Sequence, residues 1–357
     1  MGPTTTENKN IIQQVQHTKS FHKKSTTNHF LHPIVNHIYN DNGKKETINS
    51  LRSSPQREIW EKALSNEWGR LAQGNVYGVN ATDTIEFIQH TQVPKQRKIT
   101  YASFVCDHRP LKSEPWRVRI VVGGDRLSYT NETGSPAASL LETKVLLNST
   151  ISDANRGARF MSLDLKDFFL ATPMPIEEYM KVPLKYFPKD IVEKYKLINI
   201  VHNNHIFIKI KKGMYGLKQA AVLAYENLIT NLAPFGYEPI PHTDSFWRHK
   251  TDPTKFCLCV DDFGIKYYNK LELNRLISAL QINYKISTDF SGRNYCGLTI
   301  DWDYERGFVD ISMPGYVEKA LEKYQHKPTT PQTNVKINSN SQNSEKPFYA
   351  QRPYTFT

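Results

Sequence analysis

Two apolar segments that end in carboxylates constrain the fold of this chain more than any other feature. Residues 160–170 read FMSLDLKDFFL and residues 256–264 read FCLCVDDFG. Each begins as an apolar run typical of a buried strand. Because side chains alternate along a strand, Asp164 and Asp261 each lie on one defined face. If the two strands are neighbours, these carboxylates converge, with Asp262 at the turn beside them.

Buried carboxylates that lie close together repel one another, and each raises the pKa of its neighbours. Divalent cations relieve this repulsion, and hard oxygen ligands select Mg²⁺, with Mn²⁺ as an alternative. Two such ions can clamp the attacking and leaving oxygens of a phosphoryl transfer. The pattern therefore predicts a two-metal site. For either segment alone, a polar turn or a strand-end cap is an open alternative.

The charge of the chain predicts a polyanionic partner. The 357 residues include 46 Lys and Arg against 35 Asp and Glu, a formal charge of +11. A basic excess of this size favours nucleic acid over a membrane surface. No apolar stretch approaches a membrane span, and the N-terminus lacks the apolar core of a signal peptide. We therefore expect an intracellular protein that is neither secreted nor inserted in a membrane.

The order of predicted elements indicates an α+β fold, with an antiparallel sheet flanked by helices. Residues 1–53 and 326–357 are rich in polar residues and predict disordered tails. The ordered part, residues 54–325, is predicted to begin with a Ser-Pro helix start. Residues 172–189, rich in Pro and Lys, predict a connection. The polar residues 261–264 predict the turn of a hairpin.

Five segments resemble a known family. LDLKDFFL at 163–170 is similar to the first catalytic motif of reverse transcriptases, and CVDD at 259–262 to their aromatic-x-Asp-Asp box. KGMYGLKQA at 212–220 resembles the YGLKQA signature of copia-type retrotransposon polymerases, and is the most specific of the five. RVRIVVGG at 117–124 resembles the basic strand of that group. YCGLTI at 295–300 resembles a segment near its primer grip.

The resemblance implies a role for each matching carboxylate. Asp164, Asp261 and Asp262 would be the catalytic residues that hold two Mg²⁺ ions. The backbone carbonyl of Leu165 would complete one coordination shell. One departure from the family is Cys259, which stands where Tyr or Phe is usual. That change leaves the carboxylates themselves in place.

The resemblance also implies a deoxynucleotide site. Phe169 falls at the steric-gate position that excludes a ribose 2′-hydroxyl. Gln219 would contact the incoming nucleotide, and Arg119, together with Arg117, would hold its triphosphate, a task that suits bidentate guanidinium groups. Read from the pattern alone, Phe169 also fits a core position and Arg119 a solvated strand face. The implied primer grip region consists of Cys296, Gly297 and Leu298.

The architecture implied is a right-hand polymerase. Fingers would span about 57–150 and 180–220, the palm about 155–180 and 220–300, and the start of a thumb or connection 300–325. The implied function is RNA-directed DNA synthesis by a fragment of a retrotransposon polyprotein. Its partners would be an RNA or DNA template with primer, dNTPs and other parts of a Gag-Pol polyprotein. The expected location is the cytoplasm, in a virus-like particle, or the nucleus.

Two other functions fit the same residues. The first is a truncated or decayed remnant that binds nucleic acid through its +11 charge without catalysis. The second is a two-metal nuclease, although the sequence offers no matching fourth carboxylate. Polymerisation that depends on Asp261 separates the polymerase from the remnant. Hydrolysis without added dNTP identifies the nuclease.

Overall fold

The computed structural model describes residues 38–40, 44–109, 112–131, 133–243, 245–314 and 316. Within these residues the α-helices are α1 (Ile48–Arg52), α2 (Arg57–Leu71), α3 (Leu140–Ser152), α4 (Lys189–Lys194), α5 (Ala220–Leu232) and α6 (Lys270–Gln281). The β-strands are β1 (Ile85–Ile88), β2 (Ile99–Thr100), β3 (Ala102–His108), β4 (Trp116–Val122), β5 (Arg159–Lys166), β6 (Pro173–Pro183), β7 (His205–Lys212), β8 (Tyr237–Pro239), β9 (Phe246–His249), β10 (Lys255–Cys259), β11 (Asp262–Tyr267), β12 (Lys285–Asp289), β13 (Asn294–Tyr295), β14 (Leu298–Asp303) and β15 (Phe308–Ser312).

A six-stranded antiparallel sheet, here called the central sheet, carries both carboxylate segments. Its strand order is β12-β5-β11-β10-β9-β8. Alternate residues of β5, such as Leu163 and Leu165, are buried in one core with Phe263 of β11. Helices α5 and α6 cover this face with Leu228 and Leu276. The carboxylates therefore lie in a sheet that a well-packed core supports from the other side.

A second core forms around helix α2 and three smaller sheets complete the fold. Trp60 and Trp68 of α2 are fully buried, in the same cluster as Val118 and Ile120 of β4. One sheet has the order β1-β7-β6-β2, and the other two are the hairpin β3-β4 and the meander β13-β14-β15. The described chain is thus a mixed α/β fold with antiparallel sheets. No α-helix within the described ranges has the length and apolarity that a membrane span requires.

The turn between β10 and β11 is tighter than the sequence predicts. Cys259 and Asp262 are cross-strand partners, so only Val260 and Asp261 form the turn. The prediction of a turn over residues 261–264 is wrong because Phe263 and Gly264 continue the strand and pair with β5. Asp262 is therefore a strand residue, and its side chain has the fixed direction of a sheet position.

Order begins before the predicted boundary at residue 54. Helix α1 starts at a Thr47 capping box, and its residues Ile48 and Leu51 are buried against the second core. The predicted tail over residues 1–53 is therefore wrong at its C-terminal end, since two apolar residues suffice to dock one helical turn. The rest of that predicted tail up to residue 37, and the predicted tail at 326–357, lie outside the described residues.

The predicted connection over residues 172–189 is largely strand β6. Its prolines do not break the strand because Pro173 and Pro183 stand at its ends, and an irregular register separates Pro173 from Glu178. Proline is tolerated at strand ends and bulges, where no ladder hydrogen bond is lost. Residues Glu178 to Pro183 then pair regularly with β7.

Candidate active site

The three carboxylates meet where strand β5 passes the β10–β11 turn. Asp164 and Asp262 are directly opposed cross-strand partners and so share a face of the central sheet. Asp261 is held from the turn, because its carbonyl oxygen accepts a hydrogen bond from the Leu165 amide at 2.9 Å. The structure therefore brings together the residues that the sequence predicts as metal ligands, with Asp262 rather than Asp261 facing Asp164 across the ladder.

The turn that presents Asp261 is strained. Val260 has a φ of 62°, a conformation that a β-branched residue rarely adopts. Such a residue costs on the order of 1–3 kcal/mol and persists only where its surroundings impose it. Here the ladder on both sides of Val260 and the Leu165–Asp261 hydrogen bond impose it. Strain of this kind concentrates at sites where a side chain must be aimed.

Burial and mutual repulsion raise the pKa of each carboxylate. Burial raises the pKa of Asp262 to about 7, and the charges of Asp261 and Asp164 add to the rise. Burial and then the charge of Asp164 raise the pKa of Asp261 to about 6. Burial also raises the pKa of Asp164. Among the described residues none of the three forms an ion pair, so their charge is uncompensated within that part of the chain.

Uncompensated, desolvated carboxylates fit the requirements of a hard divalent cation. Within the described residues, no group of three or more His, Cys, Asp and Glu side chains is arranged so that it could hold a metal ion. Mg²⁺ in proteins often keeps several ligands from water or substrate phosphates and needs only one or two carboxylates. Asp164 and Asp262, opposed across the ladder, are donors of the type that Mg²⁺ prefers.

Two cationic side chains approach the carboxylates from the β3–β4 hairpin. Burial raises the pKa of all three carboxyls, and the positive charge of Arg119 offsets part of the rise for Asp261, as that of Lys112 does for Asp164 and Asp262. Arg119 is held only loosely, 3.5 Å from Asp107. Lys112 was missed by the sequence reasoning. The signal available was its place in the short segment that precedes the basic strand.

Arg117 does not join this group, and its predicted triphosphate contact is not supported by its position. Its guanidinium lies 2.7 Å from Glu114 and 3.3 Å from Glu67. Although burial disfavours its charge, these two carboxylates raise the pKa of Arg117. Strand alternation puts Arg117 and Arg119 on one face of β4. They differ because the ion pairs of Arg117 hold it against α2.

Phe169 lies at the end of the short turn that follows β5. Its side chain is half-buried and packs against both cores. Gln219, which precedes helix α5, is buried, and its amide donates to the Glu178 carboxylate at 3.4 Å. Arg97 pairs with the same carboxylate at 2.7 Å. The structure therefore ties Gln219 to β6. Phe169 lies in the turn that follows β5, five residues after Asp164.

The predicted primer grip residues lie at the tip of the β13–β14 hairpin. Cys296 and Gly297 have φ values of 49° and 78°, as a two-residue type I′ turn requires. Leu298 behind them is buried. The Cys296 thiol lies 3.9 Å from a carboxylate oxygen of Asp262. This hairpin tip therefore borders the carboxylates, as the resemblance implies.

Known solved structures include distant likenesses to this chain. No family model matches the chain. A solved structure of apo telomerase from Candida tropicalis, truncated from its C-terminal domain, is similar to it at 13% sequence identity with a TM-score of 0.37. The similarity covers 72% of this chain, which spans 60% of the length of that one. A likeness at this distance gives no evidence about the function of this chain.

The arrangement combines two chemical features. Asp164, Asp261 and Asp262 offer hard oxygen ligands that a polyvalent cation would neutralise. Arg119 and Lys112 face them from a separate hairpin and supply positive charge for a polyanion. Together these groups could hold a metal-bound polyphosphate between the central sheet and the β3–β4 hairpin. Such a site suits phosphoryl or nucleotidyl transfer.

Proposed function

We propose that this chain is an RNA-directed DNA polymerase domain that adds deoxynucleotides to a primer 3′-hydroxyl. The observation that carries the proposal is the trio Asp164, Asp261 and Asp262, half-buried near one another without ion pairs among the described residues. The five segments that resemble reverse transcriptases support it. Those at 163–170, 259–262 and 117–124 contribute charged side chains to the site. The resemblance of residues 212–220 points to a copia-type retrotransposon.

In this proposal each residue group has a separate task. Asp164, Asp261, Asp262 and the Leu165 carbonyl hold two Mg²⁺ ions, which would activate the primer hydroxyl and stabilise the departing pyrophosphate. Arg119, assisted by Lys112, binds the triphosphate and offsets its charge. The ring of Phe169 lies beneath the sugar and excludes a 2′-hydroxyl.

The wider context follows from the same proposal. The +11 charge favours the sugar-phosphate backbone of a template–primer duplex. The central sheet would serve as the palm and the β3–β4 hairpin as part of the fingers. Other parts of a Gag-Pol polyprotein would be its partners, in a cytoplasmic virus-like particle or in the nucleus.

Primer extension tests this function directly. The purified chain is given poly(rA)·oligo(dT), dTTP and Mg²⁺, and compared with the variants Asp261→Asn and Asp301→Asn. Asp301 is an exposed carboxylate on β14 and provides the matched control. We expect extension by the parent chain and by Asp301→Asn. Loss of a metal ligand should reduce the rate by more than about a hundredfold in Asp261→Asn.

Other results would point to the alternatives. Salt-sensitive binding of the duplex without extension contradicts the polymerase and favours a non-catalytic remnant. Strand hydrolysis in the absence of dTTP indicates a nuclease. Extension that persists in Asp261→Asn excludes the carboxylate site as its source.

A further inference from the structure

The signature segment KGMYGLKQA, residues 212–220, joins the site to the β3–β4 hairpin. The carbonyl oxygen of Tyr215 accepts a hydrogen bond from the amide of Val122, at the end of β4, at 2.8 Å. Gly216 has a φ of 92°, and a Cβ there would collide with the Val122 carbonyl. The segment can therefore lie against β4 only because glycine occupies that position.

The same segment holds the backbone of Phe169. A Cβ on Gly213 would lie 2.7 Å from the carbonyl oxygen of Phe169, so glycine is again required for the close approach. That oxygen also accepts a hydrogen bond from the Thr172 amide at 3.0 Å. The turn before it includes Asp167 with a φ of 56°. The main chain at Phe169 is thus fixed from both sides, whereas its half-buried ring needs a separate support.

Tyr215 supplies that support. Its ring meets the ring of Phe169 edge-to-face, with centroids 5.6 Å apart and an interplanar angle of 87°. This is a favourable arrangement for two aromatic rings. Phe168 is a second aromatic neighbour, with ring centroids 5.8 Å apart. The charges of Asp261 and Arg119 both act on Tyr215, so the contact between Tyr215 and Phe169 lies near the candidate site.

We propose that Tyr215 is a positioning residue that sets sugar discrimination by holding the ring of Phe169. The inference rests on the proposed function and deepens it. A planar side chain can exclude one hydroxyl only if its ring keeps a fixed orientation. Without the Tyr215 ring, the ring of Phe169 gains freedom on the side where Tyr215 lay, and a ribonucleotide is then accommodated at lower cost.

The test measures kcat/KM for dTTP and for UTP on poly(rA)·oligo(dT), and takes their ratio. We expect Tyr215→Leu to lower the dTTP preference by about three- to tenfold, the range of an aromatic pair. Tyr215→Phe should keep the parent ratio because it retains the ring. Phe169→Ala should lower the preference further. If the leucine variant does not fold, Tyr215→Met takes its place and should lower the dTTP preference by the same factor.

Tyr225 provides the matched control. It contacts Trp247 edge-to-face at 5.8 Å and 79° in the first core. Tyr225→Leu removes the same kind of contact and should leave the ratio unchanged, since the ratio does not depend on the fraction of active protein. In a Phe169→Ala background, Tyr215→Leu should have no further effect on the ratio.

Specific outcomes overturn the inference. An unchanged ratio in Tyr215→Leu, or an equal loss in Tyr225→Leu, contradicts a positioning role. A loss in Tyr215→Phe as large as in Tyr215→Leu contradicts the argument from ring contact. Independent, additive effects of Tyr215→Leu and Phe169→Ala do the same. Failure of the parent chain to incorporate dTTP is a separate result, which contradicts the polymerase function itself.

Discussion

The charged side chains between α2 and β4 are paired with one another, whereas the carboxylates beside the β10–β11 turn form no ion pair within the described part of the chain. Glu67, whose side chain is 1% exposed, lies 2.7 Å from Arg70 and 3.3 Å from Arg117. Glu114 lies 2.8 Å from Arg70 and 2.7 Å from Arg117. This group, here called the α2–β4 cluster, therefore balances two carboxylates with two guanidinium groups.

Near the β10–β11 turn three carboxylates lie close together, and the cations that act on them, Arg119, Lys112 and Lys166, form no ion pair with them among the described residues. The consequence is visible in the pKa values. Although burial works against it, the arginines of the α2–β4 cluster lower the pKa of Glu114, while the pKa of Asp262 rises to about 7. A buried charge cluster that is complete within the chain supports the fold. One that is incomplete is a candidate for binding an ion or substrate.

The largest effect on stability should follow from Glu67→Gln. The change leaves the guanidinium groups of Arg70 and Arg117 short of a buried partner, so the free energy of unfolding should fall by about 3–5 kcal/mol. Urea denaturation at pH 7.5 measures it. Glu226→Gln, at an exposed position of α5, serves as the control and should change stability by less than about 0.5 kcal/mol. A small effect at Glu67 would mean that the cluster is not supporting the fold.

Asp262→Asn should have the opposite sign. A carboxyl whose pKa is higher in the folded than in the unfolded chain destabilises the fold as pH rises between the two values. The window here runs from about 4 to about 7. Without divalent ions, the free energy of unfolding of the variant should exceed that of the parent by about 2 kcal/mol at pH 8, which is half of what the full pKa shift would give. Below pH 4 the variant and the parent should be equally stable. Destabilisation at pH 8 would contradict an uncompensated site.

Primer extension should depend on pH through the same groups. Metal ligands must be deprotonated, so protons compete with Mg²⁺ at Asp261 and Asp262. At limiting Mg²⁺, kcat/KM for dTTP should rise about tenfold from pH 6 to pH 8. Saturating Mg²⁺ should move the midpoint to lower pH. A midpoint that does not respond to Mg²⁺ would assign the titration to another group.

The smallest effect is expected at Asp153, a paired carboxylate close to the central sheet. The nearly buried Lys266 ammonium donates to it at 2.6 Å, and this hydrogen bond lowers the pKa of Asp153. Its contribution is therefore present at neutral pH and lost as pH falls below about 4. Asp153→Asn should lower the free energy of unfolding by about 1 kcal/mol at pH 7 and by less near pH 3. Thermal unfolding at the two pH values measures the difference, and an equal loss at both would contradict the pairing.

Local patterns predicted much of the fold. The apolar run that begins at residue 160 predicts a buried strand, and the structure has β5 there. The sequence-based prediction was wrong where a few residues pack against parts of the chain that are distant in sequence. Ile48 and Leu51 hold helix α1 in an otherwise polar stretch. Strand β6 forms despite its prolines, because they lie outside its regularly paired part.

The candidate site shows the same division. Its carboxylates could be named from residue type and order, because apolar runs that end in Asp are costly unless a partner is bound. Phe169 and Arg119 could be named only through the family resemblance. The role of Lys112 and the ring contact of Tyr215 with Phe169 could not be predicted, because both depend on residues far along the chain.

The sequence by itself determined which residues could serve as ligands, and that two strands would carry them in an antiparallel sheet. Only the tertiary structure decided which side chains are available. Arg117 and Arg119 alternate identically on β4, yet ion pairs to Glu67 and Glu114 occupy the first and leave the second facing Asp261. The reason is physical: alternation fixes the direction of a side chain, whereas its partners come from elements that only folding brings near.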